Sequence, residues 1–439
     1  MKKKFIIIGI LLISIFIFLF NLETIRSTAK KYLSMESKTL VKKLFFGKET
    51  LEELERLQTY GEMNYNQKVL PETQFTNMNL KGILLHDLNL GEDSTYNKLM
   101  RQPISVTFYM EQFKDDLVIV DIKGKIFFIN KQFITDSKNF DWIQVNSNLH
   151  FQNILIKDVL ILNNEIYISY AEFRSEEKKC FTMNISKAKI SKKELVFETF
   201  FKSKDCQWNL WTGRMVFYNH DGKEGLLLAT TAVCKEIDLA QDDNSIFGKI
   251  LFIDFETKNY KIFSKGHRNP QGLTVEKNFI ISTEHGPIGG DEINLIQFGQ
   301  NYGWPISSYG ETDICVKEPL KEGYDYLKNH SDHGFIEPIY SFVPSIGINQ
   351  IIKVPDNFSE YWKNNFLVIS LAGNTIYRIL FDQNFSKIVY HEKIFIGKRM
   401  RDIVYSEEYN VFLIALEGSF NPGEDRIPSI GILSNSLNK

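Results

Sequence analysis

The chain is poor in the features that most directly assign a protein. It has no excess of one charge: 52 Lys+Arg stand against 54 Asp+Glu in 439 residues. With no polybasic arm or stripe, nucleic acid is argued against as a partner. Cysteine is scarce. The four, Cys180, Cys206, Cys234 and Cys315, are widely spaced and form no CxxC pair or other metal-ligand spacing. Two readings stay open for them: one or two disulfides if the chain is exported, or isolated thiols. Long apolar runs are missing as well, with one exception at the N-terminus.

That exception is FIIIGILLISIFIFLFNL at 5–22, preceded by three lysines. Eighteen uncharged residues approach the length of a membrane-crossing helix, and the lysines should stay cytoplasmic, which places the body of the protein outside. A cleavable signal peptide is the rival, but no small-x-small site follows. The expectation is a signal anchor over 1–22, with the rest periplasmic or extracytoplasmic. From 27 to 60, leucines recur every three to four residues among Lys and Glu, which predicts a helical stalk; a polar linker follows, so 23–80 is read as stalk and linker.

Beyond about residue 81 the helical period disappears. One phrase then returns six times: a polar turn, four to six β-forming residues, and often a glycine. The copies are DDLVIVDIKG (115–124), NEIYISY (164–170), EGLLLAT (224–230), KNFIIST (277–283), NNFLVIS (364–370) and YNVFLIA (409–415). Several are followed by a second strand, such as KIFFI at 125–129 or TIYRIL at 375–380, the pattern of antiparallel hairpins. A β-sandwich would also show many short strands, but six returns of one phrase argue for a ring. The predicted architecture is all-β, a six-bladed β-propeller over 81–439.

The densest stretch, 266–310, reads GHRNPQGLTVEKNFIISTEHGPIGGDEINLIQFGQNYGWPISSYG. A strand that delivers its end into a Gly/Pro/acidic loop is a common way to build a site, because backbone can approach a ligand closely there. The run resembles the signature of the soluble pyrroloquinoline quinone (PQQ)-dependent aldose dehydrogenases, the glucose/sorbosone dehydrogenase family. Four pieces stand in order: GHRNPQGL, EHGP, GGDEIN and GxNYGWP. The resemblance covers about 85–435, including GRMVFYNHDG from 213, PSIGINQ at 344–350 and GKRMRDI at 397–403.

The resemblance implies a PQQ- and Ca²⁺-dependent sugar dehydrogenase. PQQ is a planar quinone with three carboxylates, and arginine pairs with carboxylates bidentately without losing its charge. By resemblance Arg268, Asn269 and Gln271 would contact the quinone, and Arg399 and Arg401 would face its carboxylates. The carbonyls of Gly286 and Pro287 would hold Ca²⁺, a cation that accepts carbonyl oxygens. Asp291, Glu292 and Asn294 read as loop-holding residues. Two family residues are missing. Leu162 falls where the catalytic histidine is expected, so general-base catalysis by that route is lost. Ala372 takes the place of a PQQ-contacting lysine. His150 and His285 are the fallback bases, although in the family the loop position of His285 is not the base. The competing reading is a non-catalytic propeller that binds a ligand or a protein at the cell surface.

Overall fold

The computed structural model describes residues 68–69, 78–85, 88, 90, 106–136, 140–149, 153–174, 180–310, 323–326, 329–417 and 428–435. The expected anchor at 1–22 and stalk at 27–60 lie outside these residues. So does the candidate base His150.

Each of the six repeated phrases becomes the second strand of a blade. The inner strands are Phe108–Phe113, Ile154–Leu162, Met215–His220, Pro270–Glu276, Ile348–Lys353 and Met400–Ser406. Each is hairpinned to its phrase strand: Asp116–Asp121, Glu165–Phe173, Lys223–Ala229, Phe279–Glu284, Asn365–Ser370 and Val411–Leu416. The polar start of the phrase supplies the turn. Lys114, Asn163, Asn164, Asp221, Lys277, Asn364 and Asn410 all have positive φ. Tight hairpins need such left-handed residues, and asparagine and aspartate tolerate them better than most side chains.

Second strands are buried along their whole length at Asp116–Asp121, Asn365–Ser370 and Val411–Leu416. This explains why the phrases read as continuous apolar runs rather than as alternation: each middle strand is covered on both faces by neighbouring blades. The cores lie between blades. Phe108, Leu117 and Phe127 of blade 1 pack with Val411, Leu413 and Ile430 of blade 6, and five further clusters fill the other junctions. This is the six-bladed β-propeller anticipated from the repeats.

The ring closes through an early strand. Met78–Leu84 pairs antiparallel along Ser429–Asn435 and becomes the outer strand of blade 6. Lys68–Val69 runs parallel to the outer strand of blade 5, Ile388–Phe395. Strand pairing with the propeller therefore begins earlier than residue 81.

Around the axis, the inner strands are locked by an ionic triad. Arg214 Nη1 lies 2.7 Å from Asp158 Oδ1 and 3.1 Å from Asp402 Oδ1, and all three side chains are buried. Arg214 Nε donates to Gln271 O at 3.0 Å; Asp158 accepts the amide of Met215 at 2.7 Å and Asp402 that of Met110 at 2.9 Å. Five of the six blades meet in this knot. A cavity of about 290 Å³ opens beside it, with Glu111, Asp158, Arg214, Gln350 and Asp402 in its wall.

Candidate active site at the arginine end of the channel

The inner strands all start at one end of the channel, where the second strands finish. The signature thus folds into two pieces that meet. Residues 266–269 lead into Pro270–Glu276, and 285–290 leave Phe279–Glu284. Glu284 joins them: one carboxylate oxygen accepts the amides of Arg268 and, at 3.3 Å, Asn269, while the other meets His267 Nδ1 at 3.0 Å. His267 spends its second nitrogen on Ser264 Oγ at 2.8 Å and stacks on Tyr302. Both its nitrogens are committed, so its role is structural.

Arg268 is buried, donates from Nη1 to His285 O at 3.1 Å, and lies over the Trp304 ring at 5.3 Å. Asn269 Oδ1 accepts from the Thr231 hydroxyl at 3.0 Å and from Gln271 Nε2 at 2.9 Å. Asp291 docks the 285–290 loop onto the turn at 344–347. Its Oδ1 accepts the Gly286 amide at 3.1 Å, and its Oδ2 accepts the amides of Ile346 at 3.0 Å and Ile348 at 2.9 Å. Gly290 has φ +73°, and a Cβ there would come within 2.4 Å of Gly310 N, so glycine is required. Ser345 Oγ donates to Pro287 O at 3.2 Å. Glu292 and Asn294 are tied to each other at 3.1 Å, and Glu292 Oε1 is 3.1 Å from His330 Nε2. These acids hold structure, in keeping with the loop-holding role read from the sequence.

Arg399 and Arg401 arrive from the start of blade 6 and share one carboxylate. Arg399 Nε donates to Glu417 Oε2 at 2.9 Å and Arg401 Nε to Glu417 Oε1 at 2.7 Å, with Thr107 Oγ1 donating to Oε1 at 2.8 Å. Burial alone would raise the Glu417 carboxyl, but Arg401 and Arg399 outweigh it and hold it down at about 2. One carboxylate against two guanidiniums leaves this corner positive.

The two arginine groups belong to one face. Asn349 Nδ2 donates to Arg401 O at 2.8 Å while its own carbonyl accepts the Thr283 hydroxyl, stitching blades 4, 5 and 6 together. Both Arg268 and Arg401 act on the charge of His285, whose pKa is lowered by burial and by these two cations, with Asp291 opposing. As a residue His285 is half-buried, but its Nε2 is sealed from solvent and has no partner. An unpartnered buried acceptor costs about 1–3 kcal/mol.

Leu162 is not at this face. It ends its inner strand opposite Glu165, at the hairpin, and packs on the core between blades 2 and 3. Ile156, near the arginine end of the same strand, is six residues away, about 20 Å at the rise of a β-strand. Whatever side chain stood at 162 would be too far to take a proton from a ligand held by Arg268. A histidine at 162 would therefore lie away from the groups gathered at the arginine end. Ala372 does lie at the arginine end. It is exposed, in a turn whose flanking amides, Leu371 and Gly373, both donate at 2.7 Å to the carbonyls of Gly347 and Ile346.

Sequence reading missed Glu417, Thr107 and the Arg214 triad. A signal for Glu417 existed: like Glu284, it stands where the second strand of its blade ends. The disulfide question is answered in favour of bonds, since Cys180 and Cys206 are joined and Cys234 is disulfide-bonded as well.

The chemistry on offer is that of an anion site, with guanidiniums from two separate blades. The family profile "Glucose / Sorbosone dehydrogenase" matches residues 100–419. Aldose sugar dehydrogenase YliI of Escherichia coli is 26% identical over 277 residues, 58% of this chain and 71% of that protein. Quinoprotein glucose dehydrogenase B of Acinetobacter calcoaceticus is 28% identical over 212 residues, 37% of this chain and less than half of that protein, 44%. In fold, the chain is similar to the apo-form soluble aldose sugar dehydrogenase of E. coli, with TM-score 0.63, 19% identity, and coverage of 82% of this chain and 99% of that one. The PQQ-bound aldose sugar dehydrogenase of Streptomyces coelicolor gives TM-score 0.54 at 17% identity, covering 81% and 98%. With the profile spanning most of the propeller and the signature assembled at one end of its channel, the chain belongs to the glucose/sorbosone dehydrogenase family.

Proposed function

We propose that this chain is an exported, membrane-anchored, PQQ-dependent oxidoreductase of aldoses that works at the arginine end of the channel. The observation that carries the reading is that Arg268 of one blade and Arg401 of another both act on His285, with Arg399 sharing the Glu417 carboxylate with Arg401. Export is supported by the lysine-flanked apolar run at 5–22 and by the disulfides, which persist in oxidising compartments.

The residues fit the cofactor's chemistry. When bound, PQQ supplies the two-electron acceptor. Arg399 and Arg401 would pair with its carboxylates, and Arg268, Asn269 and Gln271 would orient the quinone edge. The carbonyls of Gly286 and Pro287 would hold the divalent cation. Among the described residues no group of three or more His, Cys, Asp or Glu is placed to hold a metal. Ca²⁺ would therefore draw on carbonyls and on the oxygens of the ligand itself.

Reconstitution with PQQ and Ca²⁺ followed by dye reduction over a panel of aldoses tests this reading. We expect PQQ to bind and at least one aldose to reduce the dye in a PQQ-dependent way. A second reading, a non-catalytic ligand-binding or protein-interaction propeller at the cell surface, is favoured by Ala372, which stands where the resemblance expects a lysine. PQQ binding with no turnover of any aldose would select it. Failure to bind PQQ would overturn the cofactor assignment.

A further inference from the structure

Three of the five tryptophans cluster near the arginine end, and their contacts differ. Trp304 is occupied: Arg268 lies on its face and its Nε1 donates to Ala232 O at 2.8 Å. Trp208 carries Lys235 over its ring at 5.0 Å, and its amide donates to Glu236 Oε2 at 2.6 Å. Away from this face, Trp142 packs edge-on to Phe127 and Trp362 packs on Phe358 beneath Arg378. Trp211 alone among them is left over. The residue is half-buried, and among the described residues its side chain belongs to none of the hydrophobic cores, makes no ring or cation contact, and its indole N–H has no hydrogen-bond partner.

Its backbone nevertheless sits against the proposed cofactor contacts. Trp211 O accepts Gln271 Nε2 at 3.3 Å. The next amide, Thr212 N, donates at 3.2 Å to Thr231 Oγ1, which donates onward to Asn269 Oδ1 at 3.0 Å. The segment is also held rigidly. Cys206 anchors it to Cys180, Cys234 is disulfide-bonded beside Lys235, and Trp208 is pinned to Glu236. A large aromatic side chain on a firmly held segment, without a packing partner among the described residues and next to the groups that would orient a quinone, is spare binding surface.

We infer that Trp211 is the stacking platform for the sugar ring, a specificity-determining residue that selects cyclic pyranoses over open-chain polyols. A pyranose presents one face of C–H groups and a rim of hydroxyls. An indole matches both, with an apolar body for the C–H face and an N–H that donates to a hydroxyl. This inference rests on the proposed aldose-oxidising function of the same face.

The test titrates the full chain with D-glucose and, separately, with sorbitol, following tryptophan fluorescence at equilibrium, while PQQ affinity is read from the absorbance of the bound quinone. Glucose is expected to perturb wild-type fluorescence and sorbitol to do so at least about tenfold more weakly. Trp211→Ala should weaken glucose binding by about tenfold or more, and Trp211→Phe, which keeps a ring, by no more than about threefold. Both variants should bind PQQ like wild type, which shows that the face is still folded. Trp208→Ala, whose ring already serves Lys235, should bind glucose normally. Equal glucose affinity in wild type and Trp211→Ala overturns this inference alone. Absence of any sugar binding by wild type overturns it together with the aldose-oxidising reading.

Discussion

At the residue scale, charge placement decides what each group can do. Arg401 is the better buried of the two blade-6 arginines, with its side chain 16% exposed against 32% for Arg399. Removing it should therefore matter more. Arg401→Ala is expected to weaken PQQ binding by about 1.5–3 kcal/mol, the usual worth of a charged hydrogen bond, as read by titrating apo protein with the quinone. The axial acids make a second prediction, about pH. Burial pushes Glu111 up to about 8; Asp402 and Asp158 add to the rise, and the Gln112 amide and Arg214 oppose it. Carboxyls whose folded pKa exceeds the unfolded one stabilise the native state below the unfolded pKa, and that stability is lost as pH rises through the folded pKa. Resistance to urea should thus fall as pH climbs from about 4.5 to 8. Glu417, held at about 2, acts in the opposite sense and loses its contribution as pH drops below the ordinary glutamate range. Glu111→Gln should flatten the slope on the alkaline side and leave the acid side alone; an unchanged slope would disprove the assignment.

At the element scale, the decisive unit is the pair of loops 285–290 and 344–348, joined by Asp291. Three amides depend on that carboxylate, and two of them belong to the facing turn. Asp291→Ala leaves those donors unpaired and should cost about 2–4 kcal/mol, after allowing for water entry. The loss should be local first: hydrogen exchange at Gly286, Ile346 and Ile348 should accelerate strongly while amides of the phrase strand Val411–Leu416 keep their protection. Uniform acceleration through all blades would show that the loops are not an independent unit. The same docking explains why Gly290 and Gly347, both at positive φ, stand in these two loops: a Cβ on Gly347 would come within 2.8 Å of Ala372 N.

At the scale of the whole molecule, the ring is a closed set of blade-to-blade cores, and the last blade is completed from the beginning of the chain. Met78–Leu84 supplies seven paired residues to Ser429–Asn435. A chain beginning at residue 67 should keep the propeller, whereas one beginning at residue 85 should expose the edge of blade 6 and aggregate or unfold, as judged by gel filtration and thermal melting. Equal behaviour of the two truncations would show that closure does not depend on this strand. The Arg214 triad has the same reach. It joins Asp158 and Asp402 across the axis, so its worth is shared by blades far apart in sequence.

What the sequence determined by itself was periodic and local. Six returns of one strand phrase specified six blades, because a strand buried on both faces must be apolar throughout and must be preceded by a residue that can turn the chain. The four-piece signature likewise marked the site, since its glycines and acids answer to backbone conformations within a few residues of each other. Tertiary structure decided the rest. Arg399 and Arg401 find Glu417 through strand pairing, and His285 finds itself between Arg268 and Arg401 through the closing of the ring. No short-range pattern encodes such meetings, because each needs blades distant in sequence to be brought to one end of the channel. Leu162 shows the limit most plainly. Position within a phrase located its blade, but only the direction of its inner strand showed that it lies at the end away from the arginines.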